Sequence, residues 1–318
     1  MSGDLAFAYD RPDAAQQNAL AAAVCAHLPA WAVLDMALLD APTIHARLQR
    51  SGWQSHNAYA GSPLSAFAEQ GVWLVALESE PALLHAQVQI LLARTAGTAA
   101  LSFVGTTAPI VALQALADYL GRIALEDRKQ PLHCRFADTR VLPTLLAALD
   151  PAQTARVQAT VREWSWIGRH AEYRRWQPQP SDTPADRNDH IRLTAAQFRA
   201  LRSASDADAV FFLLLEQTPS LVPTQGRGQF HTRLCGFLQT AAAYRIHDIA
   251  SRLQFAVLSL SCGEDFHQLP CLADTWAGVL AGDYTLAARM PLWGPEIWDQ
   301  LEANAPQPRD PAADLAVQ

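Results

Sequence analysis

The feature that most narrows what this chain can fold into is a rhythm of short apolar runs separated by proline-opened helical segments. Trp31-Ala-Val-Leu-Asp35 and Val72-Trp-Leu-Val-Ala-Leu77 are apolar at nearly every position. That is the pattern of strands covered on both faces, not of strands with one wet side. Residues 99–104 form a third such run. Residues 12–28, 42–50, 81–94 and 109–120 are rich in helix formers and open with proline, which the first turn tolerates because its missing N–H has no intrahelical partner there. Residues 132–136 alternate and predict a further strand, and 139–149 and 151–161 predict two more helices, the second introduced by Asp150 as N-cap. Strands alternating with helices predict an α/β N-terminal lobe with a largely parallel or mixed sheet and flanking helices.

The pattern then changes. Trp164 to Trp166 and Tyr173 to Trp176, around Gly168, predict a hairpin. Residues 177–188 (QPQPSDTPADRN) are polar and Pro-rich and read as a linker. Beyond them the periodicity is helical only. Thr194 is a candidate N-cap, and residues 206–217, 229–244, 248–261 and 270–280 predict helices. The expected organisation is an α/β domain over 1–176, a linker over 177–189, a small all-α lobe over 190–299 and a flexible tail over 300–318. No repeat with a period of about 20–50 residues is visible.

Composition excludes several classes. Half of the 318 residues are apolar and 17% are charged, against about 25% charged in an average soluble domain. With nine Trp and eleven Phe the chain is not disordered. Its balance of 24 basic against 31 acidic residues disfavours charge-driven nucleic-acid binding. Lys129 is the only lysine and lies in the polar stretch 126–130, which removes a Walker-A loop and disfavours a Schiff-base lysine. Residues 1–13 show no signal-peptide pattern, and no apolar run approaches the ~20 residues of a membrane span. Cys25, Cys134, Cys235, Cys262 and Cys271 are odd in number and contain no CxxC pair. They read as reduced thiols, so a cytoplasmic location without membrane insertion is expected.

Chemistry-bearing motifs are sparse. GxSxG, HExxH, EF-hand and GxGxxG patterns are absent, and Gly226-Arg-Gly228 reads as a helix-opening turn. Cys262-Gly-Glu-Asp-Phe-His267 puts a thiol, two carboxylates and an imidazole together, but without metal-ligand spacing. Its plainer reading is a helix C-terminus at Gly263. The interleaved aromatics and arginines of 164–176 suit a half-buried hairpin or a protein-contact edge better than a nucleic-acid grip. The most pointed constellation is Arg135-Phe-Ala-Asp138-Thr-Arg140. Arg135 is expected on a strand, Asp138 as the N-cap of the 139–149 helix and Arg140 in its first turn, with either arginine able to pair with Asp138.

These motifs, in this order, resemble the bacterial type VI secretion effector chaperone/adaptor family (Tap or TEC proteins), whose shared domain bears the label domain of unknown function 4123. Trp31-Ala-Val-Leu-Asp35 is similar to the family's Y-A-L-L-D strand, Gly71-Val-Trp73-Leu-Val75 to G-P-W-L-V, and Arg135-Phe-Ala-Asp138-Thr-Arg140-Val-Leu142 to R-F-Y-D-P-R-V-L. Leu149-Asp-Pro-Ala-Gln153 followed by Trp164 is similar to L-D-P-x-Q and its Trp, and Leu193 to Gln197 continues the likeness. Val72, Ala137 and Thr139 replace the usual Pro, Tyr and Pro, and Arg156-Val-Gln158 stands where the family has a Phe pair. The resemblance implies a cytoplasmic adaptor that binds one toxic effector protein and helps load it, through transient contact, onto the VgrG spike. It implies no catalysis, metal or cofactor.

Trp73, Arg135, Asp138 and Arg140 are then structural motif residues. Candidates for partner binding are Trp164, Trp166 and Trp176 of the hairpin and Phe211, Phe212 and Phe237 of the helical lobe. Two other readings stand beside this one. One is an α/β enzyme of hydrolase or transferase type, starting from Cys262 and His267. The other is an immunity or scaffold protein.

Overall fold

Three helices begin on the same device. Asp13, Asp150 and Thr194 each accept the backbone N–H of a glutamine three residues on (Gln16, Gln153, Gln197), and that glutamine's carboxamide accepts the cap residue's own N–H. Two orphan donors are satisfied at each helix start. The computed structural model describes residues 7–67, 69–125, 128–179 and 182–306. The chain forms two compact units, Met1–Ser205 with Gln225–Gly228, and Asp206–Thr224 with Gln229–Gln318.

The first unit runs α1 (Ala14–Cys25), β1 (Trp31–Asp35), α2 (Ala41–Ser51), β2 (Ser55–Asn57), β3 (Val72–Ala76), α3 (Pro81–Arg94), β4 (Leu101–Gly105), α4 (Ile110–Leu120), β5 (Arg122–Leu125), β6 (Leu132–His133), α5 (Leu142–Ala148), α6 (Pro151–Gln158), β7 (Glu163–Ile167), β8 (Tyr173–Trp176), β9 (Ile191–Leu193) and α7 (Ala195–Ala204). A six-stranded sheet has the order β2-β3-β1-β4-β7-β8, and all its pairings are antiparallel. A three-stranded sheet, β6-β5-β9, is mixed: β5 pairs antiparallel with β6 and parallel with β9. The α/β architecture agrees with the sequence, while the parallel component is confined to the smaller sheet. The reason is local. β3 and β4 are both antiparallel to β1, which lies between them. The helical crossover over α3 therefore joins strands that run the same way without being neighbours.

Both faces of the large sheet are covered. Ala32, Leu34, Val75, Leu101 and Phe103 pack with α1, α2 and α3 on one side. Val33, Leu74, Val104, Trp164 and Trp166 pack with α4, α5, α6 and the small sheet on the other. This is why β1, β3 and β4 read as unbroken apolar runs. The 164–176 hairpin forms as expected, with Trp164 opposite Trp176 and Trp166 opposite Arg174. Buried Ser102 is the polar exception in β4, and the Trp164 indole N–H donates to its hydroxyl at 3.0 Å.

Two boundaries differ from the expected ones. The Pro-rich 177–189 stretch is not a free linker. Asp186 donates its N–H to Ala152 O at 2.9 Å and accepts the Tyr119 hydroxyl at 2.8 Å. Beyond it β9 adds to β5, and Gln153 Nε2 donates to Arg192 O at 2.7 Å. The first unit thus continues to Ser205. Low apolarity does not keep a segment out of a fold when its backbone groups find partners. Residues 180–181 lie outside the described residues.

The second unit contains α8 (Asp206–Gln217), most of α9 (Arg227–Ala243), α10 (Ile249–Cys262), α11 (Ala273–Ala281), α12 (Leu286–Arg289) and α13 (Pro295–Ala303). α10 is central and touches α8, α12 and α13. Arg252 of α10 reaches Asp206 at the start of α8, 2.7 Å apart. The expected tail begins too early: Leu301 is buried, and Asn304 Nδ2 donates to Cys262 O at 2.7 Å. The part of that tail over 307–318 lies outside the described residues. Among the described residues no helix is long and apolar enough to cross a membrane.

Trp164→Phe should destabilise the first unit by about 1–3 kcal/mol, because it strands the buried Ser102 hydroxyl. Adding Ser102→Ala should recover part of that loss. Urea denaturation followed by circular dichroism checks both, and additive losses would contradict the pairing.

Candidate functional site

Asp35 ends β1 and is 3% exposed. Its N–H donates to Ala100 O at 2.9 Å. Its Oδ1 accepts the Ala37 N–H at 3.1 Å, and its Oδ2 accepts Nε and Nη2 of Arg135 at 3.3 and 3.0 Å. Burial raises the Asp35 carboxyl above the ordinary aspartate range, and the Arg135 charge opposes that rise.

Arg135 belongs to a turn that follows the two-residue strand β6, not to a longer strand over 132–136. The segment is sewn to the sheet by its backbone: Thr139 N–H donates to Ala99 O at 2.9 Å, and Asp138 N–H to Arg135 O at 3.1 Å. Cys134, Phe136 and Ala137 point into the core. Burial pushes the Cys134 thiol up to about 12.

Asp138 is also buried, and its partner is Arg140. Oδ1 accepts the Arg140 backbone N–H and Nε, both at 2.9 Å, and Oδ2 accepts Nη2 at 2.6 Å. Asp138 is therefore not the N-cap of a 139–149 helix. The helix α5 starts at Leu142 with no side-chain cap. Pro143 sets that limit, because a helix starting at Thr139 would need a Pro143 N–H to donate to the Thr139 carbonyl. From the N-terminal side, Phe7 lies 5.0 Å from the Arg140 guanidinium, and the Tyr9 hydroxyl lies 3.0 Å from Thr139 Oγ1.

Beside the Asp35–Arg135 pair opens a cleft of about 190 Å³, lined also by Tyr59, Phe67, Gln70, Val72 and His133. The Phe67 ring stacks on His133, 4.9 Å between centroids and 10° from parallel. The Tyr59 hydroxyl lies 3.5 Å from His133 Nε2. Partial burial and the Arg135 charge lower the His133 pKa, so the ring is neutral at neutral pH. Burial, with the Asp35 charge, raises the Tyr59 hydroxyl well above the ordinary tyrosine range. Gly71 is required here: a Cβ would fall 2.5 Å from Phe67 O and 3.0 Å from the Tyr59 ring. Sequence reasoning reached Arg135 and placed His133 on an alternating strand, but it missed His133 as a cleft residue together with Tyr59 and Phe67, which lie on a turn and a short 3-10 helix.

The other expected site residues are dispersed. Trp73 of β3 is half-buried and meets His45 edge-on at 4.5 Å, a structural contact. Trp164 and Trp166 are 2% and 8% exposed and belong to the sheet's core, so they present no surface to a partner. Trp176 is half-buried against the same core. Phe211 and Phe237 are buried, Phe211 meeting Phe230 at 6.1 Å. Of these six aromatics Phe212 alone is exposed, at 52%. Cys262 and His267 make no hydrogen bond to each other, and burial raises the Cys262 thiol. Among the described residues no group of three or more His, Cys, Asp or Glu side chains could hold a metal ion.

A two-unit fold in which two buried aspartates, each paired with a partly exposed arginine, lock a loop onto an antiparallel sheet is the class of protein defined so far. Residues 30–156 match the family model described as Domain of unknown function (DUF4123). The match contains Asp35, Trp73, Arg135, Asp138 and Arg140 and stops before the 164–176 hairpin and the helical unit. No curated protein and no solved structure matches the chain.

Arg140→Ala should cost about 3–5 kcal/mol, because it leaves Asp138 charged, buried and unpaired. Asp138→Ala should cost less, because the Arg140 side chain is 23% exposed and can turn to water. Equal losses in denaturant titrations would contradict the asymmetry. For Asp35 the folded pKa lies above the unfolded one, so the native state binds the extra proton and this residue's contribution to stability falls as pH rises through that interval. Relative to Asp35→Asn, the wild type should therefore gain stability as pH is lowered towards the ordinary aspartate value of about 3.9. A pH-independent difference between the two would contradict this.

Proposed function

We propose that this protein is a cytoplasmic adaptor that binds a type VI secretion toxic effector and helps load it onto the VgrG spike, without itself catalysing a reaction. The observation that carries this reading is the match of residues 30–156 to DUF4123, a domain commonly associated with type VI secretion effector adaptors. The surface of the helical unit supports it. Phe212, Leu292 and Trp298 are large apolar side chains exposed at 52%, 69% and 37%, and aromatic side chains of this kind are the usual anchors of protein interfaces. The raised Cys262 thiol supports the non-catalytic part, since a nucleophilic cysteine needs its pKa lowered.

The test is deletion of the gene in the native cell, with effector export and self-intoxication scored together. Lost export supports the adaptor reading. Intact export with self-killing would contradict it and favour an immunity protein. Complementation with Cys262→Ala/His267→Ala should restore export in full, and failure by a stably folded double variant would contradict a non-catalytic role. Phe212→Asp should weaken recovery of the effector on the tagged full chain while leaving the melting temperature unchanged.

A further inference from the structure

We propose that the cleft between the end of β1, Phe67 and His133 is a receptor for a single carboxylate of a partner polypeptide, gripped by the free edge of Arg135. The partner's identity rests on the adaptor reading above; the chemistry of the cleft does not.

Size comes first. Small-molecule sites usually occupy about 300–1,000 Å³. The cleft measures about 190 Å³, room for one side chain or one chain end and too little for a nucleotide. Val72 and the exposed Phe67 ring make apolar walls, and the Asp35–Arg135 pair, Gln70, Tyr59 and His133 supply its polar groups.

Arg135 is held in a way that leaves a docking edge. Both of its hydrogen bonds, from Nε and Nη2, go to the single oxygen Oδ2 of Asp35. The other oxygen of Asp35, Oδ1, takes the Ala37 N–H. Nη1 has no hydrogen-bond partner among the described residues, and the Arg135 side chain is 38% exposed. The guanidinium is thus fixed in orientation by a buried anion while its Nη1–Nη2 edge stays open. That edge matches a carboxylate with two parallel N–H···O bonds. His133 adds a ring-nitrogen donor beside Arg135, its ring braced by Phe67 and Tyr59. A carboxylate on a short apolar stem fits: the stem lies along Phe67 and Val72, and the oxygens meet Arg135. A glutamate or aspartate side chain and a C-terminal carboxylate offer the same group.

The full chain is titrated with 3-phenylpropionate and with 3-phenylpropanamide, following the His133 ring resonances by NMR. The acid should bind saturably and at least about tenfold more tightly than the amide, the worth of one charge-assisted bidentate contact. Equal binding, or no saturable shift of His133, would overturn the proposal. Arg135→Gln should erase the preference for the acid. Because that variant leaves Asp35 without its cation, the exposed-site variant Phe67→Ala is measured as well and should weaken the acid about tenfold at an unchanged melting temperature. Two peptides separate the sources, one with an internal Phe-Glu and both ends blocked, the other ending in Phe with a free carboxylate. Binding of either supports the proposal and names its source, and binding of neither overturns it. An effector still captured at full affinity by Phe67→Ala would overturn the role of the cleft while leaving the adaptor reading intact.

Discussion

Two buried carboxylates at one end of the sheet set the terms for the surrounding structure. A charge taken out of water must be paired or neutralised, and Asp35 and Asp138 each have their own arginine, Arg135 and Arg140. Both arginines come from the same short loop that supplies Asp138. The loop therefore cannot leave the sheet without stranding Asp35, and it cannot rearrange without exposing the unpaired charge of Asp138. Its backbone reinforces the attachment through the Thr139–Ala99 hydrogen bond. The interval from Arg135 to Arg140 that looked like a strand running into a capped helix is instead a clasp. Such a clasp adds little net stability over an apolar substitute. It does fix where Arg135 stands, and so fixes the shape and polarity of the cleft beside it.

The covering of both sheet faces has a second consequence. Trp164 and Trp166, the most conspicuous aromatics of the chain, are used up in the core. The large apolar side chains left exposed are others: Leu28, Phe67, Leu83 and Val111 in the first unit, and Phe212, Leu292 and Trp298 among those of the helical unit. The low charged fraction, 17%, is in keeping with a chain that covers two sheet faces and still leaves large apolar side chains in view.

Most elements were legible because their signals are local. The caps at Asp150 and Thr194, the proline-opened α3 and the unbroken apolar runs of β1 and β3 are written in adjacent residues, while the Asp13–Gln16 capping box was missed. The antiparallel pairing was not, because strand order depends on which strand slips between β3 and β4. Pro143 carried a signal that sequence reasoning missed: it forbids a helix beginning at Thr139, and so a capping role for Asp138. The segment around Asp186 failed for another reason. Three hydrogen bonds from distant residues hold it, and composition is blind to such partners. The cleft was half legible. Arg135 stood out as part of a motif, while Tyr59, Phe67 and His133 are brought to it by turns. Gly71 was visible only as one letter of a strand motif, and its reason, the close approach of Phe67 and Tyr59, is purely spatial.

The central claim is that the 135–140 loop is a rigid part of the sheet's end and not a surface loop. Native-state hydrogen exchange at the Thr139 amide tests it most directly. If the clasp holds, this amide, bonded to Ala99 O, exchanges as slowly as the Asp35 amide of β1 and speeds up together with it when Arg140 is replaced by alanine. Exchange of the wild-type Thr139 amide at the rate of an unprotected loop, with Asp35 still protected, would contradict the account.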